Sequence, residues 1–419
     1  MTARHDLRIN GDRLWSSLMT HARIGALDNG GICREALTVA DRDGRDLFGA
    51  WCRATGLDVV VDQLGNMFAT RAGTDARRLP IACGSHLDTQ PCGGKFDGVL
   101  GVLAGLEIAR TLRDADIRLA HPLTVINWTA EEGSRFSPSM AGSGIYAGVF
   151  PLGDAKRWTD RDGTGFIEAL RAIGYEGSEP VGLRKFRAYL ELHIEQGPLL
   201  EALNTSVGIV TGAQDMRCYA ITILGTEAHA GTTPMETRLD PISAFSRIFV
   251  ACEKYARSTR DARCTVGAMT LQPGSHSVIP RELSFLIDLR HPDNNQLLKM
   301  LSVLRTALEV ERAHGYAITC SETWSSPAIA FDADCVSAVR QAAEVCGYSA
   351  GDIVSGAGHD AVYVARVCPT AMIFTPCKDG ISHNAAESIT PEDAERGANV
   401  LLQAVLHLDK TYEEQERTS

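Results

Sequence analysis

Short apolar runs, among them Leu79–Cys83, Leu123–Trp128 and Ala371–Phe374, alternate along this chain with stretches of helical periodicity. That rhythm belongs to an α/β sheet with helices on its faces, where catalytic groups sit at strand ends. Between Gly98 and Arg113, apolar residues Val99, Val102, Leu103, Leu106, Ala109 and Leu112 recur at spacings of three and four, which predicts an amphipathic helix following a loop. Further helices are predicted over Pro241–Arg257, Asn295–His314, Asp332–Cys346 and Pro391–His407.

From about Gly212 to Pro327 the pattern becomes strand, helix, strand, strand, helix. Tyr219, Ile221 and Ile223 alternate in the first strand, and Leu283, Phe285, Ile287 and Leu289 in a later one. This predicts a small α+β domain, residues 212–328, inserted into a larger one built from 1–211 and 329–419. The tail after Asp409, rich in Glu413, Glu414, Glu416 and Arg417, is expected to fray into solvent.

A chain of 419 residues can bury a sizeable core without disulfides. Its net charge of -11, with no run of Lys or Arg, argues against a nucleic-acid surface and fits a small-molecule substrate better. The 12 cysteines are scattered from Cys33 to Cys377 with no Cys-x-x-Cys pair, and are expected to be reduced thiols. Met1–Trp15 carries Arg4, Asp6, Arg8, Asp12 and Arg13 and lacks the apolar core of a leader. No window approaches the roughly 20 apolar residues of a membrane span, so a cytoplasmic location is expected.

The apolar strand ending at Cys83 runs into Gly84-Ser85-His86-Leu87-Asp88-Thr89 and then Gly93-Gly94-Lys95-Phe96-Asp97-Gly98. A His and an Asp at a strand's end, with glycines freeing the backbone between them, suit two ligands converging on a metal. Asp88 could accept the second N–H of the His86 imidazole. The competing reading is a glycine-rich turn with a surface His and Asp.

The strand Leu123–Thr129 ends in Ala130-Glu131-Glu132-Gly133. Adjacent side chains point apart, so one carboxylate can ligate metal while its neighbour meets a metal-activated water. Taken alone, a Glu-Glu pair is more often a solvated loop. Glu191-Leu192-His193-Ile194-Glu195-Gln196 and Ile381-Ser382-His383-Asn384-Ala385-Ala386-Glu387 each add a His after an apolar stretch. The resulting His/Asp/Glu set without cysteine is the chemistry of a catalytic metal site.

These four segments, in this order, resemble the N-carbamoyl-L-amino acid hydrolase, β-ureidopropionase and allantoate amidohydrolase family of di-metal aminopeptidase- and carboxypeptidase-like hydrolases. The resemblance spans nearly the whole chain. It implies a catalytic domain with a central mixed sheet flanked by helices, plus an inserted α+β sandwich dimerisation (lid) domain. It also implies two divalent ions, zinc or manganese with cobalt or nickel as alternatives. One would be held by His86, Asp97 and His193, the other by Asp97, Glu132 and His383, with Glu131 as general base.

By the same resemblance His229, in Gly225–Met235, stabilises the oxyanion in the other subunit of a homodimer, and Gln196, Arg290 and Gly358 contact substrate. His359 and Asp360 could equally be structural. Arg290 shares a strand face with Asp288, and its alternative role is an ion pair with that acid. Where relatives usually carry Asn before Val-Ile-Pro, this chain has Ser277 before Val278-Ile279-Pro280, which bears on a substrate hydrogen bond.

The implied activity is removal of the carbamoyl group from N-carbamoyl-L-amino acids or N-carbamoyl-β-alanine. Allantoate hydrolysis is the nearest alternative, followed by an aminopeptidase or dipeptidase and by a non-catalytic scaffold. Ser143 lacks the Gly-x-Ser-x-Gly setting of a nucleophilic serine.

Overall fold

The strand Ile81–His86 is buried along its whole length and pairs in parallel on both edges, with Leu123–Trp128 and with Ala188–Ile194. A strand enclosed in this way has no solvent face to alternate toward, so its apolar run is continuous. The computed structural model that carries these strands describes residues 6–418. Residues 1–5, part of the N-terminal stretch read for a leader, lie outside the described residues.

The central sheet has 9 strands. Along it run Asp58–Val61, Met67–Arg71, Leu123–Trp128, Ile81–His86, Ala188–Ile194, Thr370–Thr375, Val207–Ala213 and Ile329–Ala330, with Ala350–Ser355 joined to Val207–Ala213 off this path. It is mixed. Ala188–Ile194 and Thr370–Thr375 are parallel, while Met67–Arg71 against Leu123–Trp128 and Thr370–Thr375 against Val207–Ala213 are antiparallel.

The helix Val99–Asp114 packs on the three central parallel strands. It is buried far more completely than an amphipathic surface helix would be, Glu107 and Thr111 included. Its one fully buried carboxylate, Glu107, is tolerated because Arg13 meets it at 2.7 Å.

The expected frayed tail is instead the end of one long helix, Pro391–Thr418. It is tied down on the inside: Asp409 accepts the His121 backbone N–H at 2.8 Å, and the Arg187 guanidinium lies 3.7 Å over the buried Tyr412 ring. Charge density on the outer face of this helix concealed the inward-facing stripe.

Contacts divide the chain into two compact units, one running to Gly212 and resuming at Phe331, the other spanning Ala213–Ala330. The second unit is an antiparallel sheet in the order Ala317–Ser326, Asp215–Leu224, Glu282–His291, Arg263–Gln272, with helices Pro241–Ser258 and Asn294–Ala313 packed on it. Leu283, Phe285, Ile287 and Leu289 do alternate into its core beside Ile221 and Ile223. The strand Ala317–Ser326 went unanticipated because it is an edge strand, mostly exposed and without an apolar alternation.

All 12 cysteines are unpaired. Among the described residues, no helix is long and apolar enough to cross a membrane.

Candidate metal centre and active site

His86 ends its strand, and Asp97 immediately precedes Gly98 at the start of the helix Val99–Asp114. Gly98 has φ 67°, and a Cβ there would fall 2.4 Å from the His86 ring. A Cβ on Gly94 would fall 2.0 Å from the Glu387 carboxyl group. Both positions therefore require glycine for the ligand loop to close.

The His86 Nδ1–H donates to the backbone carbonyl of Asp88 at 2.9 Å, which turns Nε2 into the site. The Asp88 carboxylate was expected in that role, but it stands 3.7 Å from Nδ1. It reaches instead to the neighbouring strand end, accepting the backbone N–H groups of Glu131 and Glu132 at 3.2 Å each. A carbonyl of the same turn is simply the closer acceptor, and the carboxylate is left to join two loops.

The Glu131–Glu132 pair is not a solvated loop. Glu131 is buried, with Oε2 3.5 Å from His86 Nε2. Glu132 points elsewhere, with Oε2 3.4 Å from His383 Nε2 and held by the Gln90 amide at 2.7 Å. Ala130 at φ 55° and Gly133 at φ 67° make the turn that separates them.

Asp97 lies between two ligand groups. Its Oδ1 is 3.1 Å from His193 Nε2 and 3.6 Å from His86 Nε2, and its Oδ2 is 3.4 Å from His383 Nε2. His193 is oriented like His86, its Nδ1–H donating to the Ile194 carbonyl at 2.9 Å. Ligands about 2.0–2.2 Å from a tetrahedral ion stand about 3.3–3.6 Å apart, close to these separations. Two sets, His86/Asp97/His193 and Asp97/Glu132/His383, thus share one carboxylate, and each could hold a metal ion. The Gln196 amide nitrogen lies 2.7 Å from Asp97 Oδ2 and 3.3 Å from His383 Nε2, while its Oε1 is buried without a partner among the described residues.

A third grouping, Glu191/His193/His359, is committed to internal bonds. Glu191 accepts from Ser85 at 2.7 Å, from the Ala361 N–H at 2.9 Å and from Tyr189 at 3.1 Å. His359 bonds Ser355 Oγ at 2.9 Å and sits edge-on to His193, and Ser143 donates to Asp360. Sequence reasoning gave Glu191 and Glu387 no role. Glu387 accepts the N–H groups of Phe96 and Asp97 at 3.0 and 3.1 Å, so it shapes the Asp97 loop. The available signal was position, since each stands within the segment that supplies a His ligand.

The buried acids of the site have their charges set by burial and by one another. Burial pushes Glu131 well above the usual carboxylate range, with Asp360 and Glu132 adding to it. Burial, and then Asp97, raises both Glu132 and Glu387 to about 7. Burial also opposes charge on Asp97, but His193, His383 and His86 outweigh it and hold that carboxylate well below its ordinary value. The hydrogen bond to Asp97 is the largest cause lifting His383 to about 9.

The remaining expected residues fall in two places. Gly358, like the ligands, is in the first unit, in the loop between Ala350–Ser355 and Asp360–Val364. His229, Ser277 and Arg290 are in the second. His229 is exposed on a short strand pair opposite Val278, and its Nδ1 accepts the N–H groups of Gly231 and Thr232 at 3.0 and 3.3 Å. Ser277 Oγ is 2.9 Å from His276 Nε2. Arg290 is paired with Asp288 through two bonds, of 2.7 and 3.0 Å.

The family described as Peptidase family M20/M25/M40 matches residues 82–407. An N-carbamoyl-L-amino-acid amidohydrolase of Rhizobium meliloti is 47% identical, over 95% of this chain and 96% of that protein. One from Geobacillus stearothermophilus is 38% identical over 96% and 99%. An allantoate amidohydrolase of Bacillus subtilis is 33% identical over 92% and 95%. Among solved structures, an amidase of the hydantoinase/carbamoylase family from Burkholderia multivorans superposes with a TM-score of 0.91 at 48% identity, covering 96% of this chain and 98% of that one.

Proposed function

The chain belongs to Peptidase family M20/M25/M40, and on that footing we propose that it hydrolyses the carbamoyl group of N-carbamoyl-L-amino acids or N-carbamoyl-β-alanine. The observation that carries the reading is Asp97 shared between two ligand sets, with Glu131 facing His86 beside them. The similarity to N-carbamoyl-L-amino-acid amidohydrolases at up to 47% identity selects the bond to be cleaved.

His86, Asp97 and His193 hold one divalent ion and Asp97, Glu132 and His383 the other, both zinc or manganese in this reading, with cobalt or nickel as substitutes. Bound there, the cations supply Lewis acidity that lowers the pKa of water and neutralises charge developing on the ureido oxygen. Glu131 takes the proton of the attacking water and delivers it to the nitrogen of the amino acid as the bond from that nitrogen to the carbamoyl carbon breaks. The carbamic acid released falls apart to carbon dioxide and ammonia.

In a homodimer, His229 of one subunit serves the other subunit's oxyanion. Two backbone N–H groups bonded to Nδ1 support this role, because they leave the ring proton on Nε2, where it can be donated. Arg290, its guanidinium plane fixed by Asp288, takes the substrate carboxylate. Gln196, Ser277 and Gly358 complete the substrate contacts.

Ammonia release from N-carbamoyl-L-, N-carbamoyl-D- and N-carbamoyl-β-amino acids and from allantoate, with and without chelator, tests the proposal. Metal-dependent release from the L- or β-compounds is expected. Turnover of allantoate alone, or of none, would overturn it.

A further inference from the structure

Behind the two catalytic strand ends lies a chain of buried charges that the hydrolysis itself does not use. Arg34 and Arg45 are both fully buried, as is Asp41 between them in sequence. Arg45 Nε contacts both Asp41 oxygens at 2.9 Å, and Asp41 also accepts the Leu37 N–H at 2.8 Å. Burying charges is costly, and apolar residues of similar volume often stabilise as well. What sets this group apart is what its free ends hold.

Arg34 brackets the loop that follows His86. Its Nε donates to the Leu87 carbonyl at 2.7 Å, its backbone N–H donates to Thr89 Oγ1 at 2.9 Å, and its carbonyl accepts the Thr89 N–H at 3.0 Å. Arg45 grips the other strand end. It donates to the Gly65 carbonyl at 2.7 Å and to Thr129 Oγ1 at 3.3 Å, two residues before Glu131. Between the two loops runs Asp88, whose carboxylate takes the Glu131 and Glu132 N–H groups and whose charge, with that of Asp41, acts on Arg34. Each arginine thus fixes one loop: Asp41 is bonded to Arg45 and acts on Arg34 only through its charge, and Asp88 ties the His86 loop to the Glu131–Glu132 turn through its own hydrogen bonds.

We propose that Arg34 and Arg45 are positioning residues that set the spacing between the His86 loop and the Glu131–Glu132 turn, and so aim one carboxylate at His86 and its neighbour at His383. The proposal rests on the hydrolytic reading above. Lysine would keep the charge but not the planar fork with which Arg45 spans Asp41, Gly65 and Thr129.

The test uses the full chain carrying Arg34→Lys, Arg45→Lys and the milder Thr89→Val and Thr129→Val, each of which removes an acceptor at nearly constant volume. Amide hydrogen exchange is read at residues 129–133, with the strand Thr370–Thr375 as internal reference, and kcat and KM are read on N-carbamoyl-L-amino acids. Exchange at 129–133 should quicken by about tenfold while the reference strand is unchanged. In the Arg variants kcat should fall by about 10–100-fold, with KM within about twofold of the parent. Unchanged exchange at 129–133 would overturn the proposal, as would equal acceleration in the reference strand or a loss carried by KM. If an Arg variant fails to fold, the milder partner variant decides for that arginine, Thr129→Val for Arg45 and Thr89→Val for Arg34: a smaller shift of the same kind supports the role, and parental exchange with parental kcat refutes it. Exchange needs no substrate, so a parent protein that releases no ammonia would defeat the functional reading and leave this one still measurable.

Discussion

Glu131 Oε2 lies 3.5 Å from His86 Nε2, outside the two candidate ligand sets that share Asp97. That position suits a general base for the water that attacks the ureido carbon. Glu131→Gln should keep metal content at the parental level and reduce kcat by at least about 100-fold. Metal analysis beside steady-state kinetics checks both halves, and near-normal turnover would remove Glu131 from the mechanism.

The positive φ of Gly98 and the closeness of the His86 ring make that glycine a test of how tightly the loop is specified. Gly98→Ala should cost about 1–3 kcal/mol from the backbone alone, because φ 67° with ψ -49° is a region residues with a Cβ rarely adopt. Because the new methyl must also displace His86, metal affinity should fall by about 10–100-fold. Thermal melting with and without metal separates the two effects, and an unshifted melting temperature in the metal-free state would contradict the strain.

A metal-free site should make stability depend on pH in a defined direction. Glu132 and Glu387 are raised from 4.5 to about 7 by burial and then by Asp97. Between those values the folded state holds protons that the unfolded state has released, so metal-free stability should fall as pH rises from about 4.5 to 7. His383, lifted to about 9, adds stability at low pH that is lost as pH climbs toward that value, which has the same sign. Denaturant titrations at pH 5 and 7.5, with chelator and with excess zinc or manganese, should show a gap between metal-free and loaded protein that widens with pH. A constant gap would mean that the acid cluster is neutralised by something other than cations.

Asp288 orients the Arg290 guanidinium through two bonds. Losing the cation should therefore hurt more than losing its orientation. Arg290→Ala should raise KM for carboxylate-bearing substrates by about tenfold or more, while Asp288→Ala should raise it less. An unchanged KM in Arg290→Ala would put the substrate carboxylate elsewhere and leave the pair as a structural bridge.

The candidate ligands stood out because His86 and His193 lie at or next to the ends of buried strands, while Asp97, Glu132 and His383 lie in loops rich in glycine or polar residues. Spacing could not tell which atom of Asp88 faces His86. That choice depends on how a turn folds back, and here it freed the carboxylate for Glu131 and Glu132. Arg34, Asp41 and Arg45 were invisible for another reason. Asp41 and Arg45 lie in the helix Val39–Thr55 and Arg34 in the loop before it, and a charge in either setting looks solvated until tertiary pairing shows it buried. The outer charges of Pro391–Thr418 misled in the opposite sense, concealing Asp409 and Tyr412 on its inner side.

His229 offers the sharpest test of subunit cooperation. Its Nδ1 is occupied by the Gly231 and Thr232 N–H groups, so any donation must come from Nε2, which only a partner outside this hydrogen-bonded loop can receive. If that partner is the oxyanion in a second subunit, His229→Ala and Glu131→Gln each disable both sites of their own homodimer. A mixed dimer, however, assembles one site from the intact Glu131 of one chain and the intact His229 of the other. Random exchange in an equimolar mixture makes about half the dimers mixed, each with one working site, so about a quarter of parental activity should return. Ammonia release before and after exchange, with exchange followed by differently tagged chains, gives the answer. Demonstrated exchange without recovery would assign His229 to its own chain or to no catalytic role.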